Sequence, residues 1–159
     1  MQCVTFPWRG IARGEHGSAA VEFAVSSTVF FVALVGTMKM CLAIYTYHYV
    51  AEAAREGARY AMVRGSACTT FGSACPASST DVQTYVRGLG YPGITSSLMT
   101  VTTTWATYPP GKPCTPSASC NNPSDTVKVV ASYAFPLNIP GLVSHTYTMT
   151  STSMMIISQ

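Results

Sequence analysis

The cysteines are the residues of this chain with the clearest chemistry. Four of the six lie in two close pairs, Cys68/Cys75 and Cys114/Cys120, in the polar C-terminal part. Thiolate pairs can bind zinc, but six and five intervening residues exceed the usual spacing of about two to four. Close pairs in segments rich in Ser, Thr, Pro and Gly are instead typical of local disulfides formed in an oxidising compartment. We therefore predict that these four cysteines form disulfides, with the connectivity open, and that no metal is bound.

The other titratable side chains do not form a catalytic pattern. The three histidines, His16, His48 and His145, are scattered along the chain, and Asp81 and Asp125 are the only acids after residue 64. No Gly-rich phosphate loop, His-x-x-x-His pair or nucleophile elbow is present in the sequence. We therefore predict that the protein is not an enzyme and needs no cofactor.

Composition points to a chain that buries much of its surface in lipid or against other proteins. Only 9% of its 159 residues are charged, whereas about 25% is usual for soluble domains. The net charge of +3 is weak, and the basic residues do not cluster with aromatic ones, so no nucleic-acid partner is predicted. The length allows one domain and one anchor.

Residues 17–64 predict one long helix, since they contain no proline and, after Gly17, only two glycines. A helix of residues 18–64 would be about 70 Å long, more than twice the ~30 Å hydrocarbon thickness of a bilayer. The apolar first half, residues 19–40, is predicted to be a membrane anchor. The smaller and more charged second half, residues 41–64, is predicted to be a stalk that leaves the membrane. Tyr45, Tyr47, His48 and Tyr49 are predicted to form an aromatic interface belt or a stripe that packs on a neighbour.

The orientation of this helix follows from the residues before it. Arg9 and Arg13 precede the apolar run, which favours a cytoplasmic N-terminus. The uncharged run, residues 23–38, is longer than a signal-peptide core, and no small-residue cleavage site follows it. We therefore predict a single pass through a membrane, with the C-terminal module on the side opposite the cytoplasm.

Glu22 is the unusual residue of the anchor. A carboxylate inside a membrane helix costs a few kcal/mol, so it is by default a functional candidate with a partner. Near the helix start it can equally well extend to the interface and remain solvated. The chemistry of the residue leaves both alternatives open.

Two segments carry a resemblance to a known family. Residues 17–24, GSAAVEFA, resemble the processing site of type IV pilin-like precursors, specifically the TadE-like pseudopilins and minor pilins of the tight-adherence (Flp) pilus. Residues 53–61, AAREGARYA, resemble the second signature of that family at the end of the same helix. The resemblance covers about residues 13–65. The proline often found shortly after the glutamate is replaced here by Ser26, Ser27 and Thr28.

The resemblance implies a structural function in a filament. A prepilin peptidase would cut after Gly17, which removes the leader, residues 1–17, and makes Ser18 the new N-terminus. Glu22 and Phe23 would then be the fifth and sixth residues, and the carboxylate would pair with the α-amino group of a neighbouring subunit. The implied partners are copies of the chain or other pilins, the peptidase, the inner-membrane assembly platform and, before assembly, membrane lipid. The product would be an extracellular pilus used for adhesion, in which the chain is a minor or a major subunit.

Small residues on the stalk predict close packing of this part of the helix. Ala53, Gly57 and Ala61 recur every four residues, and such a face allows another backbone to approach closely. Packing against other subunits would make them assembly residues, whereas docking onto the chain's own sheet would explain them equally well.

The C-terminal module, residues 65–159, is predicted to be a small antiparallel sheet with one short helix. Thr80 could cap a helix whose apolar face is formed by Val82, Tyr85, Val86 and Leu89. Strands are predicted at residues 97–106, 126–135 and 145–157, with a turn at 136–141. With the long helix this is an α+β, type IV pilin-like fold. The rival interpretation is a single-pass periplasmic binding module that does not assemble, in which Gly17 and Glu22 would be dispensable.

Overall fold

The long helix α1 is the largest element of the computed structural model, which describes residues 16–69, 75–108, 120–139 and 143–158. It is followed by a short helix and a sheet of three antiparallel strands in the order β1-β2-β3. The predicted α+β class is therefore confirmed. The elements are α1 (His16–Met62), α2 (Ser79–Gly88), a 3-10 turn (Ser96–Leu98), β1 (Met99–Ala106), β2 (Thr126–Ile139) and β3 (Val143–Ile156).

Helix α1 is continuous over 47 residues. It ends at Met62, two residues before the predicted end. On its exposed side Arg55 and Arg59 pair with the glutamates three residues earlier, at 3.4 and 3.2 Å. Such exposed pairs contribute only a few tenths of a kcal/mol each. The second half of the helix is therefore held chiefly by packing against the rest of the chain.

The N-cap of helix α2 lies two residues earlier than predicted. Ser78, not Thr80, is the N-cap: its hydroxyl accepts a hydrogen bond from the Asp81 backbone N–H, and the Asp81 carboxylate accepts one from the Ser78 backbone N–H. This reciprocal capping box satisfies two N–H groups that the helix start leaves without partners. The predicted apolar face is correct at Val82 and Val86, which are completely buried.

The sheet packs one face against the helices, with β2 and β3 on α1 and β1 on α2. Val101, Thr103 and Trp105 of β1 are buried, as are Val127, Val129, Ala131 and Tyr133 of β2. The register pairs Met99 with Tyr133 and Ala106 with Thr126, so both sets of side chains point to the same face. The alternation predicted for these two strands is thus confirmed.

Strand β2 continues beyond the predicted turn. Pro136 pairs with Thr146, and the ladder runs on to Ile139 and Val143, so the turn predicted to begin at residue 136 was wrong. Strand β1 starts opposite Tyr133, which leaves Pro136 with a neighbouring strand on one side only. An edge position of this kind tolerates a residue that has no N–H to donate.

The loops and the chain end close the domain. Cys68 and Cys75 form a disulfide with an S–S distance of 2.07 Å. Cys120 is disulfide-bonded as well, whereas Cys114 lies outside the described residues. At the far end Ile157 is buried, and the Ser158 N–H donates to the Met62 carbonyl. The C-terminus is thereby fastened to the end of α1.

Candidate functional site

The first half of α1 is the part of the chain whose surface is not explained by its own fold. It carries large apolar side chains that are exposed all round the helix, with Phe23 76% exposed and Phe30 and Phe31 both 61% exposed. Its most apolar 18-residue window has a mean hydropathy of 1.9 and is not buried anywhere in the structure. Among the described residues, α1 is the one helix that is long enough and apolar enough to span a membrane. Such a surface requires lipid or protein around it.

The few hydroxyls of this half do not interrupt its apolar character. Thr28 and Thr37 donate to backbone carbonyls within the helix, to Ala24 at 2.8 Å and to Leu34 at 2.9 Å, and Ser27 also donates to Ala24 at 3.0 Å. A hydroxyl bonded to its own helix needs no partner from outside. The segment that stands in place of the expected proline is therefore compatible with a continuous helix in an apolar environment.

The predicted processing and pairing residues all lie on this exposed half. Gly17, Ser18, Glu22 and Phe23 are exposed, and a Cβ added to Gly17 would meet no atom within 4 Å. Within the described residues, no ion pair or side-chain hydrogen bond involves the Glu22 carboxylate. The geometry therefore leaves this carboxylate accessible to a partner from outside the subunit.

The small-residue face of the second half is occupied by the chain's own domain. Ala53 and Ala61 are at most 1% exposed. A Cβ added to Gly57 would lie 2.9 Å from Val86 Cγ2, a distance that real Cβ contacts essentially never show, and 3.1 Å from Val129 Cγ1, which is tighter than most. Small residues here let α2 and β2 approach the helix backbone. Their predicted function in assembly stays a prediction, and the exposed first half is better placed for it.

The aromatic cluster at the middle of α1 divides between surface and core. Tyr45, Tyr47 and His48 are exposed, whereas Tyr49 is buried with its ring 4.4 Å from that of Tyr91. The Tyr49 hydroxyl contacts Met99 Sδ at 3.5 Å. Burial, and secondarily the neighbouring tyrosines, raises the pKa of Tyr49. Tyr49 therefore belongs to the core, and only the other three can contribute to an interface belt.

A groove beside the middle of α1, next to Tyr47, was not predicted from the sequence. It has a volume of about 550 Å³ and lies between α1 and the end of the β2–β3 hairpin. It exists because β2 continues past residue 136 instead of turning there. The sequence feature that could have indicated an uncharged surface here is the absence of Asp, Glu, Lys and Arg after Lys128. The side chains that define it are Met40, Ala43, Tyr47, Phe135, Leu137 and Tyr147.

The acids of the C-terminal module fasten local structure. Asp81 caps α2, and hydrogen bonds from the Ser78 side chain and then the Ser78 backbone lower its pKa. The Asp125 carboxylate accepts a hydrogen bond from the Asn122 backbone N–H at 3.1 Å. In the described part of the chain, no three His, Cys, Asp or Glu side chains are grouped so that they could hold a metal ion.

A long apolar helix, whose exposed half precedes a small sheet domain docked on its other half, is consistent with an α+β pilin-like fold, and the helix is long and apolar enough to span a membrane. Residues 17–59 match the family model described as TadE-like protein, and this confirms the resemblance inferred from the sequence. The matched segment contains Gly17, Glu22 and most of the small-residue face. No curated protein and no solved structure matched the chain.

Proposed function

We propose that this chain is a structural subunit of a tight-adherence pilus. A prepilin peptidase cleaves it after Gly17, and the new N-terminal helix then leaves the bilayer and packs into a surface filament that serves adhesion. The observation that carries the proposal is the exposed first half of α1, whose apolar surface lies within the segment that matches the TadE-like family. A structural function of this kind requires no catalytic residue and no cofactor.

Transfer from membrane to filament exchanges one apolar environment for another. In the bilayer the large side chains of the first half face acyl chains, and in the filament they face the same half of neighbouring subunits. The second half of the helix already packs against its own sheet. The helical core of the filament is therefore formed mainly by the first half, and the sheet domain coats the outside.

Glu22 sets the axial position of each subunit. A carboxylate moved into an apolar core is strongly unfavourable unless it is paired and hydrogen-bonded. The new α-amino group of Ser18 in an adjacent subunit supplies that pair only in one register. Pairing within the subunit competes, because Ser18 and Glu22 are four residues apart on one helix face.

Intact mass and N-terminal sequencing of protein sheared from the cell surface test this proposal. The expected chain begins at Ser18 and is lighter than the precursor by the mass of residues 1–17. The Gly17→Leu variant should stay in the membrane fraction with Met1 at its start, whereas Gly36→Leu, at a glycine whose added Cβ also meets no atom within 4 Å, should be cleaved normally. Cleaved Gly17→Leu would contradict the processing site. Wild-type protein found only in membranes and beginning at Met1 would favour the unassembled binding module.

The same preparation tests the pairing function of Glu22. Glu22→Gln should be cleaved but should yield at least tenfold less sheared filament, because the neutral amide cannot balance the α-amino charge. Glu52→Gln is the matched control, since Glu52 lies on the same helix and faces Arg55 of its own subunit. Filaments of Glu22→Gln in wild-type amount would contradict the pairing.

A further inference from the structure

The β2–β3 hairpin reaches further along α1 than β1 does. Strand β1 begins opposite Tyr133, whereas β2 and β3 stay paired up to Ile139 and Val143. This two-stranded end lies beside the middle of α1 and forms the groove described above, of about 550 Å³. Pockets of roughly 300–1,000 Å³ are large enough to hold a small apolar molecule.

The groove is apolar, open and uncharged. Met40 on the helix is 62% exposed, and Tyr147 on the hairpin is 50% exposed. The polar atoms of its side chains are hydroxyls, and residues 129–159 contain no Asp, Glu, Lys or Arg. A protein partner is usually fixed in register by complementary charges, which these side chains do not offer.

The groove opens at the level where α1 would leave a membrane. Exposed apolar side chains continue along the helix from Val21 past Ile44 to Tyr47, a length of about 40 Å. The bilayer with its interfacial layers is about 40–45 Å thick. Tyr45 and Tyr47 on the helix and Tyr147 on the hairpin are exposed at this level, and tyrosine rings favour the interface.

We propose that this groove is a second lipid contact of the protein. While α1 spans the bilayer, the hairpin end lies on the leaflet from which the helix emerges, and acyl chains of that leaflet occupy the groove. A second contact next to the helix restrains the tilt of the sheet domain over the membrane. The inference requires only that α1 spans a bilayer, not cleavage or assembly, so it can fail or hold independently of the pilus function.

Quenching by brominated lipids tests the contact. Two variants of the full chain, Tyr147→Trp and Met154→Trp, are placed in phosphatidylcholine vesicles whose acyl chains are brominated close to the headgroup. The tryptophan fluorescence of each variant is compared after the signal of the parent chain has been subtracted. Met154 serves as the control because it is 54% exposed on the same strand; it lies on the opposite face of the sheet, seven residues away from Tyr147 and so about 24 Å distant. We expect Tyr147→Trp to be quenched at least twofold more strongly. Equal quenching of the two variants would overturn the proposal.

Dilution in lipid separates the bilayer from a second copy of the chain as the occupant. Quenching of Tyr147→Trp by bromine should not change when the lipid-to-protein ratio is raised tenfold, because the lipid contact belongs to each single subunit. If the new tryptophan is instead shielded at high protein density, is exposed to water after dilution and is not quenched by bromine, the occupant is another copy and the lipid proposal is wrong.

Discussion

The two halves of α1 show opposite relations between side-chain size and burial. The first half carries Phe, Val, Leu and Met side chains that are mostly exposed, while the second half buries four alanines and a glycine beside Tyr49 and Val50. Ordinarily the larger apolar residues of a domain are the ones inside. Here the small residues are inside because they let α2 and β2 approach the helix backbone.

The difference between the two halves distinguishes a helix surface that packs within the subunit from one that needs a partner outside it. A buried face of alanine and glycine has its partners in the same chain, and adding atoms to it causes overlap. An exposed face of large apolar side chains has no partner within the subunit and requires one from outside, lipid or protein. Stability of the sheet domain should therefore depend on the second half of α1, and membrane insertion and assembly should depend on the first.

Adding the same side chain to one glycine in each half of α1, Gly36 and Gly57, is the strongest test of this division. Gly57→Leu should lower the free energy of unfolding of the sheet domain by about 3 kcal/mol, since overpacking a close contact outweighs the better helix propensity of leucine. The contact is close because a Cβ at this position would already lie 2.9 Å from Val86 Cγ2. Unfolding of the full chain in detergent micelles, followed by the near-ultraviolet circular dichroism of buried Trp105, measures the change.

Gly36→Leu is the control for that measurement. A Cβ at Gly36 meets no atom within 4 Å, so the variant should unfold within about 0.5 kcal/mol of wild type. Equal losses of stability in the two variants would show that the halves are not independent, and would contradict the comparison.

The sequence predicted the two halves well for a physical reason. Long runs of apolar or small residues without proline have few alternatives to a helix, so the length of α1 and the exposure of its first half followed from residues 17–64. The alternation of Val127, Val129, Ala131 and Tyr133 predicted a half-buried strand in the same way. The predicted processing and pairing residues come from the family resemblance, not from their chemistry alone, and they stay predictions.

The wrong predictions concern segments whose local sequence fits more than one structure. Ser78, Ser79 and Thr80 are all good capping residues, and the position of Asp81, three residues after Ser78, decides among them. Pro136 suggested a turn, because the sequence does not show that β1 ends before reaching it. The groove depends on that same tertiary fact, so it could not be predicted from local sequence.

The cap of α2 gives a smaller test, confined to the domain that docks on the second half. Ser78→Ala should lower the free energy of unfolding by about 1 kcal/mol, the usual cost of removing an N-cap hydroxyl. Ser79→Ala and Thr80→Ala should have little effect, since neither hydroxyl caps the helix. Chemical denaturation in micelles measures the three values. A larger loss in Thr80→Ala than in Ser78→Ala would restore the cap predicted from the sequence.

The smallest expected effect is the acid dependence of this cap. Hydrogen bonds from Ser78 hold the pKa of Asp81 below its ordinary value of 3.8, so the folded state favours the charged carboxylate. This contribution to stability is present above the ordinary pKa and is lost as the pH falls through the lower pKa of the folded state. Because the side-chain hydrogen bond is the larger cause, Ser78→Ala should lose less stability than wild type on acidification below about pH 4, whereas Ser79→Ala should follow wild type. Parallel acid curves for Ser78→Ala and wild type would show that the capping box does not contribute to the acid sensitivity of the docked domain.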